Sequence, residues 1–279
     1  MHNHPHELNR RVSRITQRLA IGAALLILTA VPGRAGGRGG QTLEDAHRAF
    51  YNARYEEAAS LAQALETDAP GELAPIELRT SALLFQIKAA IGPLEDREKA
   101  FARCPPCAGL LATFLTATAR GQAVARARLA ATPDDEAALF FLGKLDLNYV
   151  WLQLGPLGRK KGWDEYWEAR RSLDAVLKRN PGHVRARVAR AWIDYIVDTR
   201  MPRGTRWLLG GGDRKRALST MQESADADAA YFVHVEALFA LWDLQVRERR
   251  LPEASGIARV LAREFPGNRE LVRFLDGVK

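Results

Sequence analysis

The sequence lacks the patterns on which most catalysis is built. No serine stands in a Gly-x-Ser-x-Gly turn, no histidines are spaced as in His-Glu-x-x-His, and no Gly-rich loop runs into Gly-Lys-Ser or Gly-Lys-Thr. Cysteine occurs twice and histidine six times among 279 residues: His2, His4 and His6 resemble a metal tract at the N-terminus, while His47, His183 and His234 each stand alone with no second ligand at metal spacing. β-Branched residues are sparse outside short runs, and no segment alternates apolar and polar residues for long. A β-sheet is therefore not expected. No apolar run reaches the roughly 20 residues that a comfortable membrane span requires. What the chain does have is 47% hydrophobic and 27% charged residues, rich in Ala and Arg, a globular balance that favours helix.

The first 35 residues read as an address. Arg10, Arg11, Arg14 and Arg18 precede an uncharged apolar run, Leu19 to Val31, and Gly33-Arg34-Ala35 places small residues where a signal peptidase looks. The pattern predicts a secretory signal peptide over 1–35, with an uncleaved anchor as the other reading. Val12-Ser13-Arg14 after the arginine pair lacks the apolar continuation of a twin-arginine signal, and no cysteine near the cleavage site offers a lipid attachment. The expected location is the periplasm or outside the cell. His2, His4 and His6 fall in this segment and are assigned nothing. The whole chain carries +8; residues 36–279 hold 36 Lys and Arg against 32 Asp and Glu, an excess of only four. That charge and the export signal both argue against nucleic acid as a partner.

Residues 36–41 read as a flexible linker, and 42–279 as a helical repeat domain. Thr42 caps a first helix, with Glu44 and Asp45 in its first turn. A turn at Asn52 to Arg54 leads to a second helix that ends before Pro70. The same arrangement then recurs. A small residue stands twelve positions before a helix-ending proline in Ala58 with Pro70, Ala169 with Pro181 and Ala254 with Pro266. Ala217 with Met221 repeats the first half, but Ala229 replaces the proline; Pro133 ends another helix, with Gly121 where Ala is expected. The proline cannot sit in a helix interior, and the small residues let neighbouring helices approach.

At YEEAASLAQALETDAP, WEARRSLDAVLKRNP and LPEASGIARVLAREFP, and at Leu142-Gly143, the chain resembles the tetratricopeptide repeat (TPR) family. The resemblance covers about residues 42 to 275. The spacing from Ala169 to Ala217 is 48, longer than that family's repeat, and the excess lies in loops within repeats. The resemblance implies an all-α solenoid of stacked antiparallel helix pairs, five or six in number. Leu271, Phe274 and Leu275 read as a C-terminal capping helix. It further implies a non-enzymatic scaffold that holds a peptide or protein in its concave groove. Aromatics of the first helices (Tyr149, Trp192 and Tyr195 among them) are candidates to line that groove.

Three features stand apart from the repeat pattern. Cys104-Pro-Pro-Cys107 precedes a helix, so it can be a structural disulfide closing a tight turn, a thiol–disulfide exchange motif, or a free or metal-related pair. Arg159, Lys160, Lys161 and Trp163 sit in a loop within one repeat, and Arg203, Arg206, Trp207 and Arg214 at the equivalent place in the next. Insertions at equivalent turns of a solenoid project from one edge, so the two loops are expected side by side. Cations interleaved with Trp suit an anionic group on an apolar body: a lipid headgroup, a polysaccharide or an acidic peptide. The alternative is that the Trp residues only anchor long loops with solvated basic rims. Finally, Gly210 to Gly212 resembles a phosphate loop, but Asp213 at the helix N-cap would repel an anion. No cofactor or metal is expected.

Overall fold

A computed structural model describes residues 41–92 and 97–278. The expected signal peptide (1–35) and most of the linker lie outside the described residues. Among the described residues there are twelve α-helices, one 3-10 turn and no strand, and no helix is long and apolar enough to cross a membrane.

The helices form five hairpins in chain order. Helix α1 (Leu43–Tyr51) pairs with α2 (Tyr55–Asp68). Helix α3 (Leu73–Ile91) is followed by a short α4 (Arg97–Ala102) and pairs with the long α5 (Cys107–Ala131). Then come α6 (Glu136–Leu154) with α7 (Trp163–Arg179), α8 (Val184–Arg200) with α9 (Arg214–Ala225), and α10 (Tyr231–Arg247) with α11 (Leu251–Glu264). Helix α12 (Arg269–Gly277) packs on α11 as a cap. Local chemistry explains the boundaries. Thr42 and Asp45 form a reciprocal capping box on α1. Asp135 caps α6, accepting from Ala138 N at 2.9 Å. Helices α2, α7 and α11 each end two residues before the expected proline. Ala58, Ala169 and Ala254 are all fully buried at the hairpin crossings.

Two findings go beyond the repeat pattern. First, Gly121 permits a closer approach than alanine would. A Cβ there would stand 2.7 Å from both Ile76 Cγ2 and Leu145 Cδ1, so α5 wedges directly against α3 and α6. Second, the array closes on itself. Asn268 Nδ2, just before α12, donates to Tyr51 O at 3.0 Å, and Gly267 N donates to Asn52 Oδ1 at 3.0 Å. The Tyr51 ring lies 5.0 Å from Phe239 and 5.5 Å from Phe265, and His47 stacks on Phe232 at 5.1 Å. Aromatic surface buried between the first and last pairs thus holds the ends together. Helices α1, α3, α6, α8 and α10 face the interior of this ring.

Candidate functional site

The ring interior is where the resemblance places a bound peptide. In this chain it is filled by the protein's own charges. Glu77 of α3, Lys144 of α6, Arg185 of α8 and Glu236 of α10 meet in one cluster. Lys144 Nζ lies 2.7 Å from Glu236 Oε1 and 3.7 Å from Glu77 Oε1. Arg185 Nη2 reaches Glu77 Oε2 at 3.0 Å, while its Nε donates to Glu236. Ser81 Oγ donates to Glu77 Oε1 at 2.9 Å, and the Arg185 guanidinium stands 4.8 Å above the Phe140 ring. Burial alone would push both carboxyls up, but Lys144 and Arg185 outweigh it and hold Glu77 below its ordinary value and Glu236 at about 2. Burial would likewise lower Lys144, and Glu236 and Glu77 reverse that. Burial, followed by the Arg185 charge, lowers His47. Two cations face two carboxylates, so the cluster is self-neutralised. Its geometry ties four inner helices across the ring rather than presenting a net charge to a ligand.

Sequence reasoning did not single out these four residues. Only Glu236 stands as a lone charge in an apolar stretch, YFVHVEALFAL; Lys144 shares FFLGKLDL with Asp146, and Glu77 and Arg185 have Arg79 and Arg187 two residues away, so the four share no common signal. Among the groove aromatics, Tyr195 is buried, with its hydroxyl donating to Glu248 Oε1 at 2.9 Å; Tyr149 and Trp192 are half-buried.

Cys104 and Cys107 are joined by a disulfide at the α4–α5 junction. Cys107 N donates to Cys104 O at 3.1 Å, and Cys107 is fully buried in a cluster with Ile91, Phe114, Leu152 and Leu157. Leu157 belongs to the loop before α7, so Cys107 shares its core cluster with the residue that roots the first basic loop.

The two basic loops meet through α7. The first, residues 155–162, is rooted by Leu157 in the core and by backbone bonds from Leu157 N to Leu152 O (3.1 Å) and Arg159 N to Gln153 O (2.7 Å). Arg159, Lys160 and Lys161 then stand in solvent, and Trp163, the first residue of α7, is 50% exposed. The second, residues 201–213, carries the 3-10 turn (Arg203–Leu209). One turn along α7, Tyr166 Oη donates to Leu209 O at 2.8 Å. One turn further, Arg170 donates to Leu209 O at 2.9 Å and to Gly210 O at 2.8 Å. Gly212 lies so close to α8 that a Cβ would fall 2.5 Å from Asp198 N. Asp213 caps α9 by accepting from Arg216 N at 2.9 Å.

The eight candidate residues therefore divide. Arg206 turns inward, pairing with Asp198 and donating through Nε to Met201 O at 3.1 Å. Arg214 reaches Glu248 Oε2 at 3.1 Å. Both brace the loop. Arg203 points out, and Trp207 is 72% exposed beside Leu208 at 53%; the Trp207 indole N–H donates to Gly204 O at 3.0 Å. The result is a stiff loop with its apolar residues at the apex and solvated cations on the flanks.

No family model and no curated protein matches this chain. Among solved structures it is similar to a thermophilic TPR protein from Thermus thermophilus, with 14% identity, 85% of this chain and 96% of that one covered, and a TM-score of 0.47.

Proposed function

We propose that this chain is a non-enzymatic binding scaffold of the cell envelope, in the periplasm or outside the cell, and that its working surface is the edge bearing Trp163, Trp207 and Leu208. One observation carries the reading. Large apolar side chains are left exposed on loops that the fold spends many internal bonds to immobilise. A loop of no consequence does not need Tyr166, Arg170 and Arg206 to fix it, and exposed aromatics on a rigid support are the usual anchor residues of interfaces. The ring interior is self-neutralised and crossed by its own ion pairs, which favours the outer edge over the groove. The leader pattern of residues 1–35 supports export.

The test compares retention of envelope material by residues 36–279 and by three variants of them. Trp163→Ala/Trp207→Ala removes the apolar apex, and Lys160→Glu/Lys161→Glu reverses part of the rim. Ser219→Ala, at an exposed position of α9, serves as a control. Loss of retention in the first two, with unchanged circular dichroism and melting, is expected. Equal retention by all of them refutes the edge as the working surface.

A further inference from the structure

We infer that the partner of this edge is the surface of an anionic lipid bilayer. The inference rests on the edge being the working surface and adds what that surface takes.

Charge is the first support. Residues 155–165 and 198–216 hold nine Lys and Arg against four Asp and Glu, an excess of five. Residues 36–279 as a whole have an excess of four. The whole positive excess of residues 36–279 is therefore concentrated in the two loops and the helix ends that flank them, which the fold brings together on α7, and the remainder is almost neutral. The state of these cations matters as much as their number. Elsewhere Arg190 pairs with Asp174 and Asp194, Arg187 with Glu223, and Arg126 with Glu168. Arg159, Lys160, Lys161 and Arg203 stand exposed with no carboxylate in ion-pair reach among the described residues. Long, solvated cations fit a fluid array of phosphates, where no fixed geometry is demanded.

The apolar apex is the second support. Trp207 and Leu208 are consecutive and more than half exposed, and Trp163 stands one turn of α7 before the Tyr166 contact to the same loop. Tryptophan and leucine exposed on a loop that also carries the solvated Arg203 match the layering of a bilayer interface, with apolar groups at the acyl boundary and cations among the headgroups. The Trp207 indole N–H is already satisfied by Gly204 O, so the ring can leave water without losing a hydrogen bond. An acidic peptide would meet the same cations, but it would have to bury residues that stand at the summit of the loop rather than in a cleft.

The experiment is vesicle flotation of residues 36–279, which contain the whole closed ring and omit the apolar Leu19 to Val31 run that would itself bind lipid. Phosphatidylcholine vesicles are compared with an equal mixture of phosphatidylcholine and phosphatidylglycerol. Binding to the mixture alone is expected, weakened by salt and by about fivefold for each edge cation removed. Lipids brominated on the acyl chain should quench tryptophan emission in the wild type and lose part of that quenching in Trp207→Phe. Free glycerol phosphate should compete only weakly; full competition would mean a headgroup pocket and overturn the bilayer assignment. Binding to neither vesicle, or equally to both, also overturns it. If vesicles fail while edge-dependent retention of detergent-solubilised envelope protein persists, the partner is a protein and the edge remains the site. If the edge variants retain everything, both readings fall.

Discussion

Substituting Asp146 should change the pH dependence of folding in a way that can be worked out from its surroundings. Asp146 lies on α6 and is fully buried. Its Oδ1 accepts from Gln122 Nε2 of α5 at 2.7 Å, and its Oδ2 has no donor among the described residues. It faces Glu168 of α7, whose carboxylate grips Arg126 of α5 through both oxygens. Burial first, and then the Glu168 charge, raises Asp146 from 3.8 to about 8. The hydrogen bond from Arg126 holds Glu168 below its ordinary value. At neutral pH the pair thus carries one proton, on Asp146, shared towards Glu168. The folded chain binds this proton more tightly than the unfolded chain. Its contribution is complete below about pH 4 and is lost as pH rises through about 8, at up to about 1.4 kcal/mol per pH unit. Between about pH 6 and about pH 8 the wild type should lose on the order of 2–3 kcal/mol from this site. Asp146→Asn puts an amide N–H where the proton sits and does not titrate. Denaturant unfolding at the two pH values should show a clear fall for the wild type and a much shallower one for the variant, which becomes the more stable of the two at the higher pH. Parallel slopes would mean that Asp146 is ionised in the folded chain, and the reasoning would be refuted.

Other perturbations test the rest of the fold. Arg185→Met leaves Glu77 and Glu236 facing only Lys144 and should cost about 3–5 kcal/mol in urea unfolding; adding Glu236→Gln should recover part of it. The same cluster makes the wild type acid-sensitive. Glu236 is held down at about 2, so its contribution is present above its ordinary 4.5 and lost as pH falls towards 2, which a melting series in acid would follow. Gly121→Ala forces a methyl against Ile76 and Leu145 and should destabilise by about 1–3 kcal/mol less its gain in helix propensity, read as a lowered Tm. Removing the disulfide with Cys104→Ser/Cys107→Ser should cost about 2 kcal/mol, the value for a four-residue loop, and leave edge binding unchanged. Altered binding would show that the disulfide shapes the first basic loop through Leu157.

The repeat pattern was legible because it rests on local rules. Proline stops, capping residues and buried small residues act within one hairpin, and Thr42, Ala58, Ala169 and Pro181 did what their positions suggest. The long spacing between Ala169 and Ala217 was correctly a loop insertion, and its content is the 3-10 turn. The closure of the ring was not legible. It depends on the sum of small rotations from pair to pair, and no motif records that sum. The two residues that make the closing hydrogen bonds, Asn52 and Asn268, look like ordinary turn residues in the sequence. The interior charges were missed for a related reason: a single Glu or Lys on a helix is usually solvated, and only the curvature of the array turns these four towards one another. Within the candidate edge, composition placed Trp163 and Trp207 among basic residues but could not separate Arg206 and Arg214, which brace, from Arg159 and Arg203, which face water. That division is set by Asp198 and Glu248 on neighbouring helices.

A linear stack of helix pairs melts from its ends, because a terminal pair has only one neighbour. Here the first pair is clasped by the last across sequence separations of 215 and 217 residues, through the bonds of Asn52 and Tyr51 to the turn before α12. The chain therefore has no terminal pair in the thermodynamic sense. Amide exchange in α1 should be as slow as in the middle of the array, and Asn268→Ala, which removes the bond to Tyr51 O, should speed exchange in α1 more than in α6. The kinetic consequence is the reverse of the usual economy of repeat proteins. Most contacts are local and form early, but the native state must wait for a final contact of very high sequence separation, so this helical chain should close its fold at a rate set by its ends finding each other.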